Sequence, residues 1–201
     1  MNLQKLLEAE LRLFQLEVPI GQQALLALYG GEVEKWNRRI NLTGLQGVEL
    51  IRRLIVEPVW IAHQLEIRGN LLDIGSGNGS PALPIHIVRS LERVHLVEAR
   101  AKRAVFLRHV VSALKLQGVI VHRARFEEVT DELSGVDWVT LQGVALTRKL
   151  LDSMDSMCRI ASRGVTVAWI TAEIQPPVKP FRTIRVPITG TQVFLFHLDQ
   201  F

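Results

Sequence analysis

Cysteine is almost missing from this chain of 201 residues: Cys158 stands alone. A single thiol excludes an internal disulfide and suits a reducing compartment. The six histidines are scattered, so with one cysteine they offer no metal-ligand set, and no metal is expected. No apolar run approaches the roughly eighteen residues that a membrane span needs. The N-terminus, rich in Glu, Gln and Leu, lacks the pattern of a signal peptide. Internal repeats and low-complexity segments are absent as well. Together these gaps predict a cytoplasmic protein without disulfide, metal or membrane anchor. Charge of one sign is also in short supply. The 24 Lys and Arg stand against 20 Asp and Glu, for a net charge of +4 and a pI near 9.6. So mild an excess permits nucleic-acid contact without requiring it, and the clustering of cations matters more than their total.

What the chain does hold is apolar residues at 48% and charged residues at 22%, the proportions of a globular protein. Its length suits one domain, or one domain with a small appendage, with enough chain to bury a core. Over 2–17, Leu3, Leu6, Leu7, Leu11 and Phe14 recur at helical spacing. A second helical pattern runs from Leu25 to Ile40, with a break expected at Gly30-Gly31, and a third helix is expected over about 47–65. These elements form a helical N-terminal extension, 1–66.

From residue 67 onward the rhythm changes. Short apolar strands at 71–74, 94–97, 119–121, 136–141 and 165–170 alternate with helical stretches. That alternation predicts an α/β fold, a doubly wound parallel sheet covered on both faces. Thr183–Ile188 and Val193–His197, joined through Thr189-Gly190, read as a closing β-hairpin.

The stretch Asp73-Ile74-Gly75-Ser76-Gly77-Asn78-Gly79-Ser80-Pro81 joins the first of these strands to a helix. Glycines at 75, 77 and 79 permit positive φ and close approach of a ligand to the backbone. The following helix would turn free N–H groups toward that ligand. Two ligands compete for such a loop. Gly77-x-Gly79-x-x-Ala82 satisfies the loose dinucleotide pattern. S-adenosylmethionine, with an ammonium group and a sulfonium, suits an acid at the strand end, and Asp73 stands there; a carboxylate at that point disfavours a pyrophosphate. Glu98, about twenty positions on at the end of the second strand, is where a ribose is commonly gripped. After the third strand, Glu127 could meet an adenine amino group while Phe126 covers the ring.

Cations gather at Arg38-Arg39, Arg52-Arg53 and Lys102-Arg103. The last two open a helix, where positive charge opposes the dipole unless an anion lies close by. Phosphate contact is one answer and a solvated face the other.

Three motifs, Trp36-Asn37-x-x-Ile40-Asn41-Leu42-Thr43, Asp73 to Pro81, and Lys102-Arg103-x-x-Phe106-Leu107, resemble the glucose-inhibited division protein B family. The resemblance covers roughly 3–171, in order and at compatible spacing. That family comprises bacterial methyltransferases that modify guanine-N7 of small-subunit ribosomal RNA with S-adenosylmethionine. The resemblance implies a seven-stranded class I methyltransferase fold over 67–201 behind the helical extension. It also implies a cofactor site built from Asp73, Gly75, Gly77, Gly79, Glu98 and Glu127, and Ser76, Phe126 and Gln142 complete the candidate set. Arg38, Arg39, Arg52, Arg53, Lys102 and Arg103 are then the candidate RNA contacts. The expected partner is ribosomal RNA or the small subunit, met by a monomer. No general base is identified, and attack by the N7 lone pair needs none.

The chain departs from the family on the acceptor side. Leu54 stands where the family has histidine, Glu57-Pro58 replaces Asp-Ser, Leu141-Gln142-Gly143 replaces Ser-Arg-Ala, and Ile170-Thr171 replaces Lys-Gly. Besides rRNA methylation, two readings therefore stand: a relative with another acceptor, and a non-catalytic cofactor-binding protein. A nicotinamide oxidoreductase is disfavoured by Asp73, by the hairpin tail and by the lack of chain for a substrate domain.

Overall fold

A computed structural model describes residues 3–130, 133, 135–158, 164–173 and 175–198. Helices α1 (Leu3–Leu13) and α2 (Ile20–Asn37) are followed by one helical rod made of α3 (Gly47–Ile51), a π-helical turn (Arg52–Val56) and α4 (Glu57–Gln64). Strands and helices then alternate: β1 (Asn70–Ile74), α5 (Ala82–Arg89), β2 (Arg93–Val97), α6 (Ala101–Ala113), β3 (Val119–His122), β4 (Trp138–Gln142), α7 (Arg148–Cys158) and β5 (Thr166–Thr171). The hairpin strands β6 (Arg182–Arg185) and β7 (Gln192–His197) close the chain.

The seven strands form one sheet in the order β3-β2-β1-β4-β5-β7-β6. The first five are parallel and β7 runs antiparallel to both of its neighbours. Because the chain winds outward from β1 in one direction and from β4 in the other, the order reverses between those two strands. A crevice opens at such a switch point, beyond the carboxyl ends of the strands.

Alternation along each strand divides the core in two. Leu71 joins the cluster formed with α1–α6, whereas Leu72 and Ile74 join the cluster on the α7 side. The N-terminal helices thus share a core with the sheet: Leu7, Leu26, Tyr29, Val33 and Ile55 belong to the same cluster as Val94 and Phe106. Among the described residues no helix is long and apolar enough to cross a membrane.

One expectation for the helices needs correction. Helix α2 runs through Gly30-Gly31 without a break. A Cβ on Gly30 would lie 3.1 Å from Ile55 Cδ1 and 3.3 Å from Ile51 Cδ1, so the missing side chain lets two helices approach closely. The rod over 47–64 likewise continues through Pro58. Proline offers no N–H to the ladder, and the turn just before α4 is widened so that Glu57 N–H bonds Arg52 O, five residues back.

Candidate active site

The loop after β1 is built on positive φ at its three glycines, 77° at Gly75, 48° at Gly77 and 92° at Gly79. Gly75 N–H and Ser76 N–H both donate to Val97 O at the end of β2, at 2.9 and 3.1 Å. A Cβ on Gly75 would meet Val144 Cγ2 at 2.6 Å, so the loop after β4 lies directly over it. At Gly77 a Cβ would face Arg103 Nη1 at 3.5 Å and Glu98 Oε2 at 4.0 Å. The hydrogen at that position keeps open the space between a guanidinium and a carboxylate.

That space belongs to a cleft of about 260 Å³ at the switch point. Gly75, Ser76, Gly77 and Asn78 form its floor, Gln142 and Gly143 one side, and Leu42, Leu54 and Arg103 the other. Leu42 is delivered by a turn that Asn37 organises: its Oδ1 accepts from Leu42 N–H and Thr43 N–H, and its Nδ2 donates to Thr43 O. Leu54 comes from the π-helical turn. Arg103 Nη2 donates to Asn41 O at 3.1 Å, tying the start of α6 to the extension.

Asp73 does not line this cleft. It pairs with Thr140 across β1 and β4 and shares a face with Leu71, toward the N-terminal helices. It is 1% exposed. Thr140 Oγ1 donates to Asp73 Oδ1 at 2.6 Å, while Oδ2 has no partner. Burial pushes the Asp73 carboxyl up to about 7, against the hydrogen bonds that lower it. Ser76 Oγ is turned back onto Asp73 O at 2.9 Å and serves as a brace of the loop. Glu98, 5% exposed, holds the loop to the start of α6: Oε2 accepts from Gly77 N–H at 3.0 Å and Oε1 from Arg100 N–H at 2.7 Å. Gln142 Oε1 accepts from Ser80 Oγ at 3.1 Å.

The remaining expected residues lie farther out. Phe126 is 4% exposed within the α7-side cluster, so its ring is core and offers no open face to an adenine. Glu127 is exposed, with its Oε1 3.8 Å from Lys149 Nζ. Of the candidate RNA contacts, Arg38, Arg39 and Lys102 are exposed. Arg52 and Arg53 depart from the expectation. Arg52 forks onto buried Glu10 at 2.7 and 3.1 Å and also reaches Glu49, while Arg53 binds Glu49 at 3.1 Å. Arg52 is neutralised against a buried carboxylate, whereas Arg53 and Glu49 pair at the surface.

Reasoning from sequence missed Thr140, Tyr29 and the wall residues Leu42 and Leu54. Thr140 carried a signal, as a hydroxyl between Val139 and Leu141 in an otherwise apolar strand. Leu42 and Leu54 carried a signal only through the resemblance, as a motif residue and as an acceptor-side departure, because apolar residues are otherwise read as core.

The sheet order and the position of the cleft define the class: the fold is that of a class I methyltransferase. A crystal structure of an RNA methyltransferase from Salinibacter ruber in complex with S-adenosyl-L-homocysteine matches with a TM-score of 0.53 and 16% identity, over 69% of this chain and 87% of that one. Within the class the chain belongs to the GidB family, rRNA small subunit methyltransferase G, whose profile matches residues 22–169. The ribosomal RNA small subunit methyltransferase G of Chloroflexus aggregans is 38% identical over 147 residues, 71% of this chain and 62% of the relative. That of Geotalea uraniireducens is 31% identical over 186 residues, 86% of this chain and 85% of the relative. The chain thus spans about three fifths of the length of the first relative and most of the second.

Proposed function

We propose that the chain is an S-adenosylmethionine-dependent methyltransferase acting on guanine-N7 of small-subunit ribosomal RNA. The observation that carries this reading is the cleft at the β1/β4 switch point, floored by the glycine loop that Glu98 anchors and flanked by Arg103, in a chain of this family. The residues suit the donor. The glycine loop lets the donor's amino-acid end approach the backbone closely, since Gly77 carries no Cβ between Arg103 and Glu98. Glu98 would hold ribose hydroxyls, and Glu127 the adenine amino group. Asp73, whose Oδ2 lacks a partner, lies beneath the loop as a buried countercharge to the ammonium and the sulfonium. At about 260 Å³ the cleft is smaller than most ligand sites, so the loop carrying Val144 must yield when the donor enters.

The donor supplies a methyl group on a sulfonium. The protein supplies position and dryness. N7 of guanine presents an in-plane lone pair and loses no proton before attack, so a side-chain base is unnecessary. Leu42 and Leu54 exclude water from the wall nearest the loop, and holding both reactants in line contributes most of the acceleration. Arg103 in the cleft wall, with the exposed Arg38, Arg39 and Lys102, neutralises RNA phosphates. Residues 1–66 then act as an extension that completes the cleft of the unit at 67–201. A monomeric, cytoplasmic enzyme belongs to the same proposal.

A second reading, a relative directed to a different acceptor, draws on Gln142 and Thr171, which stand where the family has arginine and glycine. Transfer of labelled methyl to small subunits, intact and stripped of protein, tests the first reading. Label in guanine-N7 of the RNA is expected. Binding of S-adenosylhomocysteine with no label in either substrate overturns the first and leaves a different acceptor or a non-catalytic cofactor-binding protein.

A further inference from the structure

The glycine loop is anchored from behind as well as from the sheet. Tyr29, in the middle of α2, is fully buried, and its hydroxyl donates to Asn78 O at 3.0 Å. Asn78 lies between Gly77 and Gly79 and lines the cleft. Its carbonyl meets the Tyr29 hydroxyl, which is fully buried, and an acceptor on that side of the loop needs a donor. Among the described residues no backbone donor reaches it: Gly79 N–H goes to Ser76 O, and Ser80 N–H to Asn78 Oδ1. Burial raises the Tyr29 hydroxyl well above its usual range, and the nearby Asp73 carboxylate raises it further. The hydroxyl therefore stays protonated and remains a donor.

We infer that Tyr29 is a positioning residue for the cofactor: through its hydrogen bond to Asn78 O, the N-terminal extension holds the glycine loop in the shape that receives S-adenosylmethionine. The inference rests on the proposed function and extends it, since the extension becomes part of the donor site as well as a wall of the acceptor side. Without the hydroxyl, the Asn78 carbonyl escapes its unpaired burial by rotating toward the cleft. The donor must then reverse that rotation as it binds.

Two measurements test this. Tyr29 is the only tyrosine in the chain, so incorporation of fluorotyrosine yields one fluorine resonance beside the loop. That resonance should shift as S-adenosylhomocysteine saturates the protein. In Tyr29→Phe, the Kd for S-adenosylhomocysteine should rise roughly five- to a hundredfold, the range implied by an unpaired buried acceptor. The KM for the donor should rise with kcat retained, and RNA retention on a filter should stay unchanged. A resonance that does not move at saturation overturns the inference, as does a folded Tyr29→Phe whose Kd lies within twofold of the parent. If that variant does not fold, the resonance decides alone. If calorimetry finds no binding of S-adenosylhomocysteine to the unaltered protein, the proposed function falls and takes this inference with it. Binding with a silent resonance removes the inference alone.

Discussion

The helix at Arg52-Arg53 and the helix at Lys102-Arg103 each present two adjacent cations, and the two pairs meet opposite surroundings. Arg52 finds the buried carboxylate of Glu10 and, with Arg53, shares Glu49. Lys102 and Arg103 stand where the dipole of α6 opposes them, and neither has a carboxylate partner in an ion pair among the described residues. Arg103 has only the carbonyl of Asn41. Positive charge is thus neutralised where α1 packs on the helical rod, and left available beside the cleft. A cation is a candidate for RNA only after the fold's own anions have been served.

The contrast between served and unserved charge sharpens most at Asp73, a carboxylate buried with no cation beside it. Its folded pKa, about 7, lies above the usual carboxylate value of 3.8. The folded state therefore holds a proton that the unfolded state has already released. Stability should fall as pH rises from about 4 through about 7 and then level off, by up to about 4 kcal/mol in all. His95 works in the other direction: burial lowers it to about 4, so it costs stability as pH falls below about 6.5. Urea unfolding of Asp73→Asn beside the parent at pH 5 and pH 8 isolates the aspartate. The asparagine variant should gain relative stability at pH 8, and a pH-independent difference would mean that Asp73 ionises freely. S-adenosylmethionine should bind the parent more tightly as pH rises through 7, a gain missing from the variant.

Next in size is Arg52→Ala. It leaves Glu10 buried without its bidentate partner and should cost about 2–3 kcal/mol, read as a lower midpoint in thermal unfolding. RNA affinity of the folded protein should be unchanged. A loss of RNA binding without a loss of stability would erase the contrast between the two pairs.

The double variant Lys102→Ala and Arg103→Ala should show the reverse. RNA affinity is expected to fall about tenfold or more, and the slope of log K against log salt to drop by about 1.5. The thermal midpoint should move little. Arg38→Ala with Arg39→Ala should have the smallest effect, a few-fold loss of RNA affinity measured by filter retention at low salt. Equal losses from both double variants would show that the cleft side of α6 has no special place in the RNA path.

Much of the fold was legible because its signals are local. The alternation of short apolar strands with helical stretches, the glycine loop after β1 and the Thr189-Gly190 turn each depend on a few neighbouring residues, and every strand formed near its expected place. Gly30-Gly31 read as a break because an isolated helix gains nothing from glycine. In the folded chain Ile51 and Ile55 press against that point and convert a poor helix former into a contact. The site was legible only in part. Gly75, Ser76, Gly77 and Gln142 line one cleft and Glu98 is bonded to its loop, while Phe126 is absorbed by the core. Which way Asp73 faces depended on the register of β1 with β4, a pairing between residues 67 positions apart.

From its order of residues alone, the chain determined which segments become strands, where the backbone can take positive φ, and how much charge it carries, since each of these is settled within a few residues. The tertiary structure decided which charges are neutralised, which apolar residues become cleft wall, and that a tyrosine from the extension braces the glycine loop. Those outcomes depend on distances and burial between residues far apart in the chain, and such quantities exist only once the helices have closed on the sheet.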